Sequence, residues 1–320
     1  MARARPQHGE VPTIAHDASL AEAARIVGQS FAPILLAIDQ SGQPLGLLRE
    51  ERIRLGLAGE LRPTNPIQNL LEPLSKEAER LRPAPRLTRA LVMAGGRGKR
   101  LHPLTADCPK PLLPVRGKPM LFRILEQLAS VGIEEVWISV LYLGHMIQEA
   151  VGKGEAFGLR VQYLHEEDPL GTAGALGLLP DSEDPLLVTN GDIWTEANLE
   201  SLSAWHSRHG NAATVATHLF EVDVPFGLVH FEGQELRRLE EKPTLRLPVN
   251  AGLYLFEANI VDQVPSGVAF DMVSWLEHLA RQERVGHFPL VEEWQDLGSL
   301  AAYRQLGDLR VDEKWDQGRS

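Results

Sequence analysis

The chain has 320 residues, a formal charge of −11 and 43% hydrophobic residues, a composition that suits about two folded domains and excludes a disordered polymer. The acidic balance argues against nonspecific nucleic-acid binding, which needs a basic surface. The single cysteine, Cys108, excludes an intrachain disulfide and a cysteine-rich zinc site.

No apolar run approaches the roughly 20 residues of a membrane span. The first ten residues carry arginines with no apolar stretch behind them, so no signal peptide is expected and the expected compartment is the cytoplasm. From there the chain reads in order. Ser19–Val27 has helical spacing, with Ser19 or Asp17 as cap. Pro33–Ile38 reads as a strand, Asp39–Gln43 as a turn, Pro44–Leu48 as a second strand and Glu50–Leu57 as a helix. These elements form a first domain, 1–74. Pro73, Pro83 and Pro85 with intervening charges mark a linker, set at 75–86. The second domain is 87–320.

That domain alternates strand and helix. Strands are expected over Leu91–Ala94, Glu135–Leu141, Arg160–His165, Pro185–Thr189 and Ala212–Leu219. Helices are expected over Met120–Val131, His145–Val151, Thr172–Leu179, Glu196–Ser207 and Leu300–Leu306. Such alternation predicts an α/β fold, a Rossmann-like mixed and mostly parallel sheet, with ligands at the carboxyl ends of strands beside a switch in strand order.

The richest stretch follows the first of those strands. Ala94-Gly95-Gly96-Arg97-Gly98-Lys99-Arg100-Leu101 continues through Pro103 and Thr105 to Pro109-Lys110-Pro111. A strand feeding a glycine turn with cations behind it is a polyphosphate-binding design. Glycines let backbone N–H groups approach phosphate oxygens, and Arg100 and Lys110 can neutralise a leaving group. A dinucleotide fingerprint would need glycine where Leu101 stands. A P-loop would need glycine at Met93 or Leu112. Cys108 reads as a packing residue. The strand Pro185–Thr189 ends in Asn190-Gly191-Asp192, which puts a carboxylate at a strand tip as a hard-oxygen ligand for Mg²⁺ or as a cap for the next helix. Leu170-Gly171-Thr172-Ala173-Gly174 can line a base or sugar.

The loop resembles the nucleotide-binding signature of the sugar-1-phosphate nucleotidyltransferases, the NDP-sugar pyrophosphorylases. It departs at Lys99, where that family usually has Thr or Ser. The resemblance implies transfer from an NTP to a sugar 1-phosphate, giving NDP-sugar and pyrophosphate, for surface polysaccharide or glycoconjugate synthesis. It implies Ala94, Gly95, Gly96, Gly98, Gly171 and Thr172 at the nucleotide. It also implies Arg100, Lys110 and Lys242 as catalytic cations and Asp192 and Asp296 as Mg²⁺ ligands, Asp296 otherwise reading as a helix cap. Gly227, Glu241 and Asn250 fall in the segments that hold the sugar, where Phe226 replaces the usual tyrosine.

Thymidylyl- and uridylyltransferases of the family tend to have glutamine near Glu166. An ionised carboxylate there accepts two hydrogen bonds from guanine and repels acceptor edges. The reading therefore favours GTP, with UTP, CTP or dTTP as alternatives, and with Glu166–Asp168 as a mere solvated acidic loop as the bland one. A catalytically weak nucleotide sensor and a molybdenum-cofactor guanylyltransferase are further alternatives; the latter group lacks the Pro-Lys-Pro extension and the Glu241-Lys242-Pro243 segment. The first domain resembles a CBS unit, and the fusion is similar to CBS-fused bacterial guanylyltransferases. Adenosine-binding CBS units carry an acidic residue where Arg52 stands here. A homo-oligomer, pairing two such units in a dimer, is the implied assembly.

Overall fold

The computed structural model describes residues 11–30, 32–59, 61–73 and 86–305. Most of the expected linker lies outside them. The chain divides into two compact units. One holds the described residues of Met1–Leu74 with Ala216–Ala251 and Pro289–Val291. The other holds those of Ser75–Val215, Gly252–Phe288 and Glu292–Ser320.

In the first unit, strands β1 (Thr13–Ala15), β2 (Ile34–Ile38) and β3 (Pro44–Arg49) form a sheet in that order, β1 parallel to β2 and β3 antiparallel to it. Helix α1 (Leu20–Ser30) starts where Ser19 Oγ accepts from Glu22 N at 3.2 Å, so Ser19 is the cap. Its buried face, Leu20, Ala23, Ala24 and Val27, has helical spacing and packs with Leu35, Ala37, Leu48 and Ile53 of helix α2 (Glu50–Ala58). The β2–β3 turn is set by Asp39, whose Oδ1 accepts from Ser41 N and Gln43 N at 2.8 and 2.9 Å. Arg54 is fully buried, bonded to Glu50 at 2.6 Å and donating to Pro289 O at 2.9 Å. Glu72 closes the unit by holding Arg49 and Arg52 at 2.8 and 2.9 Å on its two oxygens.

The second unit is built on strand β4 (Arg89–Met93), followed by the short pair β5 (Pro114–Val115) and β6 (Lys118–Pro119). Helix α3 (Met120–Ser130), β7 (Glu135–Val140), helix α4 (Gly144–Val151), β8 (Arg160–His165), β9 (Leu186–Asn190), β10 (Ile193–Thr195) and helix α5 (Leu199–His209) come next. Strands β11 (Ala213–Asp223), β12 (Leu228–Glu232), β13 (Glu235–Glu240) and β14 (Thr244–Phe256) follow; β12 and β13 belong to the first unit, and β11 and β14 hold residues of both. Helices α6 (Ala258–Val261) and α7 (Met272–Gln282), strands β15 (Val285–Pro289) and β16 (Trp294–Asp296), and helix α8 (Leu300–Gln305) close the described chain.

The main sheet has the order β15-β11-β14-β9-β4-β7-β8. Strands β9, β4, β7 and β8 are parallel and β14 runs antiparallel to β9. It is the mixed, mostly parallel α/β sheet that the alternation predicts. β4 and β9 are buried on both faces, as a sheet covered on both sides requires. Leu91, Val188, Tyr254, Phe256 and Trp275 form the core on one side.

Two expected helices differ. Thr172–Leu179 is only a 3₁₀ turn, Gly174–Leu178. Its glycines lie against backbone: a β-carbon on Gly177 would stand 2.5 Å from Pro265 O. Close backbone approach, not helical packing, fixes that segment. Helix α5 starts at Leu199 instead of Glu196, because Asn198 caps it by accepting from Ser201 N at 3.0 Å. Among the described residues no helix is long and apolar enough to cross a membrane.

Candidate active site

β4 lies between β7 on one side and β9 on the other. The connections leave it in opposite directions, so the loop after β4 stands at a switch point at the carboxyl edge of the sheet. β9 is its parallel neighbour in the register Met93↔Asn190, and the two strand ends emerge side by side. Gly191 N donates to Met93 O at 2.8 Å. A β-carbon on Gly191 would stand 2.9 Å from that oxygen, so only glycine lets the chain turn here and lay Asp192 beside Ala94.

The loop itself has a fixed internal frame. Gly98 is left-handed, φ 61°. A β-carbon there would meet Thr105 Cγ2 at 2.9 Å and Lys110 Cβ at 3.3 Å. Thr105 Oγ1 donates to Gly98 O at 3.0 Å. Leu101 is a buried plug, while Gly96, Arg97, Lys99 and Arg100 are exposed. Lys110, at the head of a 3₁₀ turn, is only 9% exposed and its Nζ pairs with Asp192 Oδ2. Cys108 is half-buried and burial pushes its thiol up, so it is a poor nucleophile.

Asp296 reaches the same place by strand pairing. β10 and β16 are antiparallel with Ile193 opposite Asp296, and Leu297 N donates to Asp192 O at 3.1 Å. Arg100 joins it: Arg100 Nη2 and Asp296 Oδ1 lie 3.0 and 2.8 Å from the point where a Gly298 β-carbon would be. Two carboxylates at neighbouring positions, Asp192 partly exposed and Asp296 exposed, form a hard-oxygen donor set. They fit Mg²⁺, an ion that takes one or two carboxylates and fills its other positions with water and phosphate oxygens. Among the described residues no cluster of three or more His, Cys, Asp or Glu side chains is arranged to hold a metal.

Glu166 turns inward while Glu167 and Asp168 are exposed. Its Oε2 accepts from Leu170 N at 3.0 Å, and its Oε1 lies 2.8 Å from the β-carbon position of Gly95. Gly171 is left-handed and backs onto Phe270 O, 2.7 Å from its β-carbon position. The Thr172 hydroxyl donates to Asp271 Oδ2 at 3.0 Å and accepts from Met272 N at 2.8 Å. Ala94, Gly95, Lys110, Glu166, Thr172 and Asp192 line one cavity of about 320 Å³.

Two contributors carry no motif. Ser139 sits opposite Met93 on β7, lines the cavity, and presents its carbonyl to Ala94 N at 3.1 Å. Asp271, which caps helix α7, anchors Thr172; its carboxyl is held below the ordinary value by hydrogen bonds from Ser274 and Thr172. The signal that could have found it is an aspartate directly before the helical spacing of Met272, Trp275 and Leu279. Gly227, Glu241, Lys242 and Asn250 belong to the first unit. There Glu241 Oε2 lies 3.2 Å from the β-carbon position of Gly227, Lys242 has φ 45° in the turn between β13 and β14, and Asn250 lies in β14.

A mostly parallel sheet with a cationic glycine loop and a carboxylate pair at its carboxyl edge defines an α/β unit of the open-sheet class. A sequence model of the Nucleotidyl transferase family matches residues 89–310, and the chain belongs to that family. It is 37% identical to a mannose-1-phosphate guanylyltransferase of Mycobacterium tuberculosis over 187 residues, 56% of this chain and 51% of that one. It is 31% identical to the mannose-1-phosphate guanylyltransferase catalytic subunit beta of Xenopus tropicalis over 222 residues, 66% of this chain and 61% of that one. The chain thus spans about half to three-fifths of the length of these relatives. The crystal structure of HddC from Yersinia pseudotuberculosis superposes with a TM-score of 0.53 at 24% identity, covering 69% of this chain and 98% of that one. That likeness concerns the fold.

Proposed function

We propose that the chain is an enzyme that transfers a guanylyl group from GTP to a sugar 1-phosphate, releasing pyrophosphate. The single observation that carries this reading is the meeting of Lys110, Asp192 and the Gly95-Gly96 turn at one cavity, with Asp296 beside Asp192 by strand pairing. Relatives at 37% and 31% identity are mannose-1-phosphate guanylyltransferases, so mannose 1-phosphate is the first acceptor to try. Glu166 supports guanine over uracil or adenine through the oxygen that faces Gly95.

An ionised sugar phosphate needs no general base, so catalysis reduces to positioning and charge neutralisation. The backbone of Ala94, Gly95, Gly96 and Gly98 receives the triphosphate, Arg100 and Lys110 neutralise the departing pyrophosphate, and Gly171 and Thr172 wall the nucleoside. Lys242 holds the acceptor phosphate, with Glu241, Asn250 and Gly227 at the sugar. Lys242 keeps a left-handed φ that costs a non-glycine residue on the order of 1 kcal/mol, and such strain is common at ligand clamps. Asp192 and Asp296 would hold Mg²⁺, which supplies charge stabilisation at the α-phosphate when bound.

The first 74 residues are read as a CBS-like unit that pairs with a second copy in a homodimer, followed by a linker (75–86) and the transferase domain (87–320). Arg52, tied to Glu72, is a structural residue in that reading rather than a ligand contact. The cytoplasm, where nucleoside triphosphates are made, is the compartment. The test is pyrophosphate release over a matrix of four NTPs and a panel of sugar 1-phosphates. Release with GTP well above the other NTPs is the expected result; nucleotide binding without release for any pair overturns the reading.

A further inference from the structure

Lys110 and Asp192 have opposed duties in the proposed reaction, and the structure binds them to each other. Lys110 is 9% exposed and its Nζ sits on Asp192 Oδ2. A buried ammonium requires a counter-charge, because an unpaired one is strongly disfavoured. Both residues line the cavity that the glycine loop opens onto. The backbone on each side is fixed. The Lys110 stem is packed against Gly98, and Asp192 O is held by Leu297 N at 3.1 Å. With the backbone held, the long flexible lysine stem can carry its ammonium to a new partner.

We infer that this pair is an exchange latch: without nucleotide Lys110 occupies the carboxylate oxygen a divalent cation needs, and an incoming triphosphate draws it off. The inference rests on the metal role proposed for Asp192. A polyphosphate on the Gly95–Gly98 backbone offers Lys110 a replacement anion. Asp192, released, then offers its charge to a cation. Metal and nucleotide thus favour each other's binding, with a coupling of about tenfold, within the ordinary range for linked sites. The device keeps a divalent cation from settling in the site before the nucleotide arrives.

The test is a nucleotide-free Mn²⁺ titration of the full chain, read from the electron paramagnetic resonance signal of free Mn²⁺. Wild type should bind weakly. Lys110→Met should bind Mn²⁺ about tenfold more tightly, and Lys110→Gln should do the same if the Met variant folds poorly by circular dichroism. Lys99→Met, which removes an exposed cation of the same loop, should leave the affinity close to wild type; an equal gain from Lys99→Met would mean general electrostatics, and would overturn the latch. Unchanged or weaker Mn²⁺ binding by both Lys110 variants, with binding lost in Asp192→Asn, would overturn the latch and leave the metal site standing. Wild-type Mn²⁺ binding by Asp192→Asn and Asp296→Asn would instead sink the metal reading on which the latch depends.

Discussion

Oε1 of Glu166 stands 2.8 Å from the point where a β-carbon on Gly95 would lie, while Oε2 of the same carboxylate accepts from Leu170 N. Gly95 is therefore also the floor under Glu166, the residue proposed to read the base. Gly95→Ala should push the carboxylate off its anchor and lower kcat/KM for GTP by about tenfold or more, since a misplacement near 1 Å is costly in a positioned site. Glu166→Gln should keep the Leu170 bond through its carbonyl and turn an amide donor toward the base. The ratio of kcat/KM for GTP over UTP should then fall, measured by pyrophosphate release.

Asp192→Asn and Asp296→Asn should each reduce turnover by about 10²–10³, the usual effect of removing one group that stabilises transition-state charge. Asp296→Asn should leave the melting temperature close to wild type, because that side chain is exposed, whereas Asp192→Asn should lower it, because it removes the counter-charge of the buried Lys110 ammonium. Wild-type pyrophosphate release by either variant would remove that residue from the reaction.

Asn190 and Gly252 meet where β9 and β14 pair. Gly252 has φ 70°, and a β-carbon on it would stand 2.6 Å from Asn190 Nδ2. Gly252→Ala should destabilise by about 1–3 kcal/mol, the sum of strained backbone and displaced amide. Urea unfolding checks it, and a variant as stable as wild type would mean the junction gives way freely.

Arg54→Met should cost about 3–5 kcal/mol, because it leaves the Glu50 carboxylate buried without its guanidinium and removes the donor to Pro289 O. Adding Glu50→Gln should restore part of the loss. A double variant no better than the single would show that the Pro289 bond dominates.

Burial pushes the imidazoles of His206, His218 and His287 below the ordinary 6.5; for His206 the neighbouring Glu257 offsets part of this. The folded chain thus refuses protons that the unfolded chain accepts. Stability should be full above pH 6.5 and fall as pH drops below it, until the folded values are passed. Asp39 and Asp271, held below 3.8, act only in far stronger acid. Melting temperatures at about pH 7.5 and about pH 5.5 should differ, and His206→Gln should flatten part of the slope.

The loop from Ala94 to Pro111 stood out in the sequence because its glycines and cations lie close together in the chain, directly after an apolar strand. The strands were legible because a sheet covered on both faces needs continuous apolar runs such as Leu186–Val188. The Thr172–Leu179 segment misled because its apolar residues have helical spacing. Its glycines instead press on the backbone of Pro265, Val268 and Phe270, a contact that arises far along the chain.

By itself the sequence determined the alternating α/β order, the glycine turn after the first strand of the sheet and which side chains could serve as cations and carboxylates. Each depends on residues close together in the chain. Only the tertiary structure decided that Asp296 comes to Asp192 by strand pairing, that Thr172 donates to Asp271, that Glu166 has one oxygen committed to Leu170, and that Lys110 holds Asp192. Most of these contacts join segments some eighty or more residues apart. A local pattern encodes a side chain's chemistry but not which distant group its folded backbone will place against it.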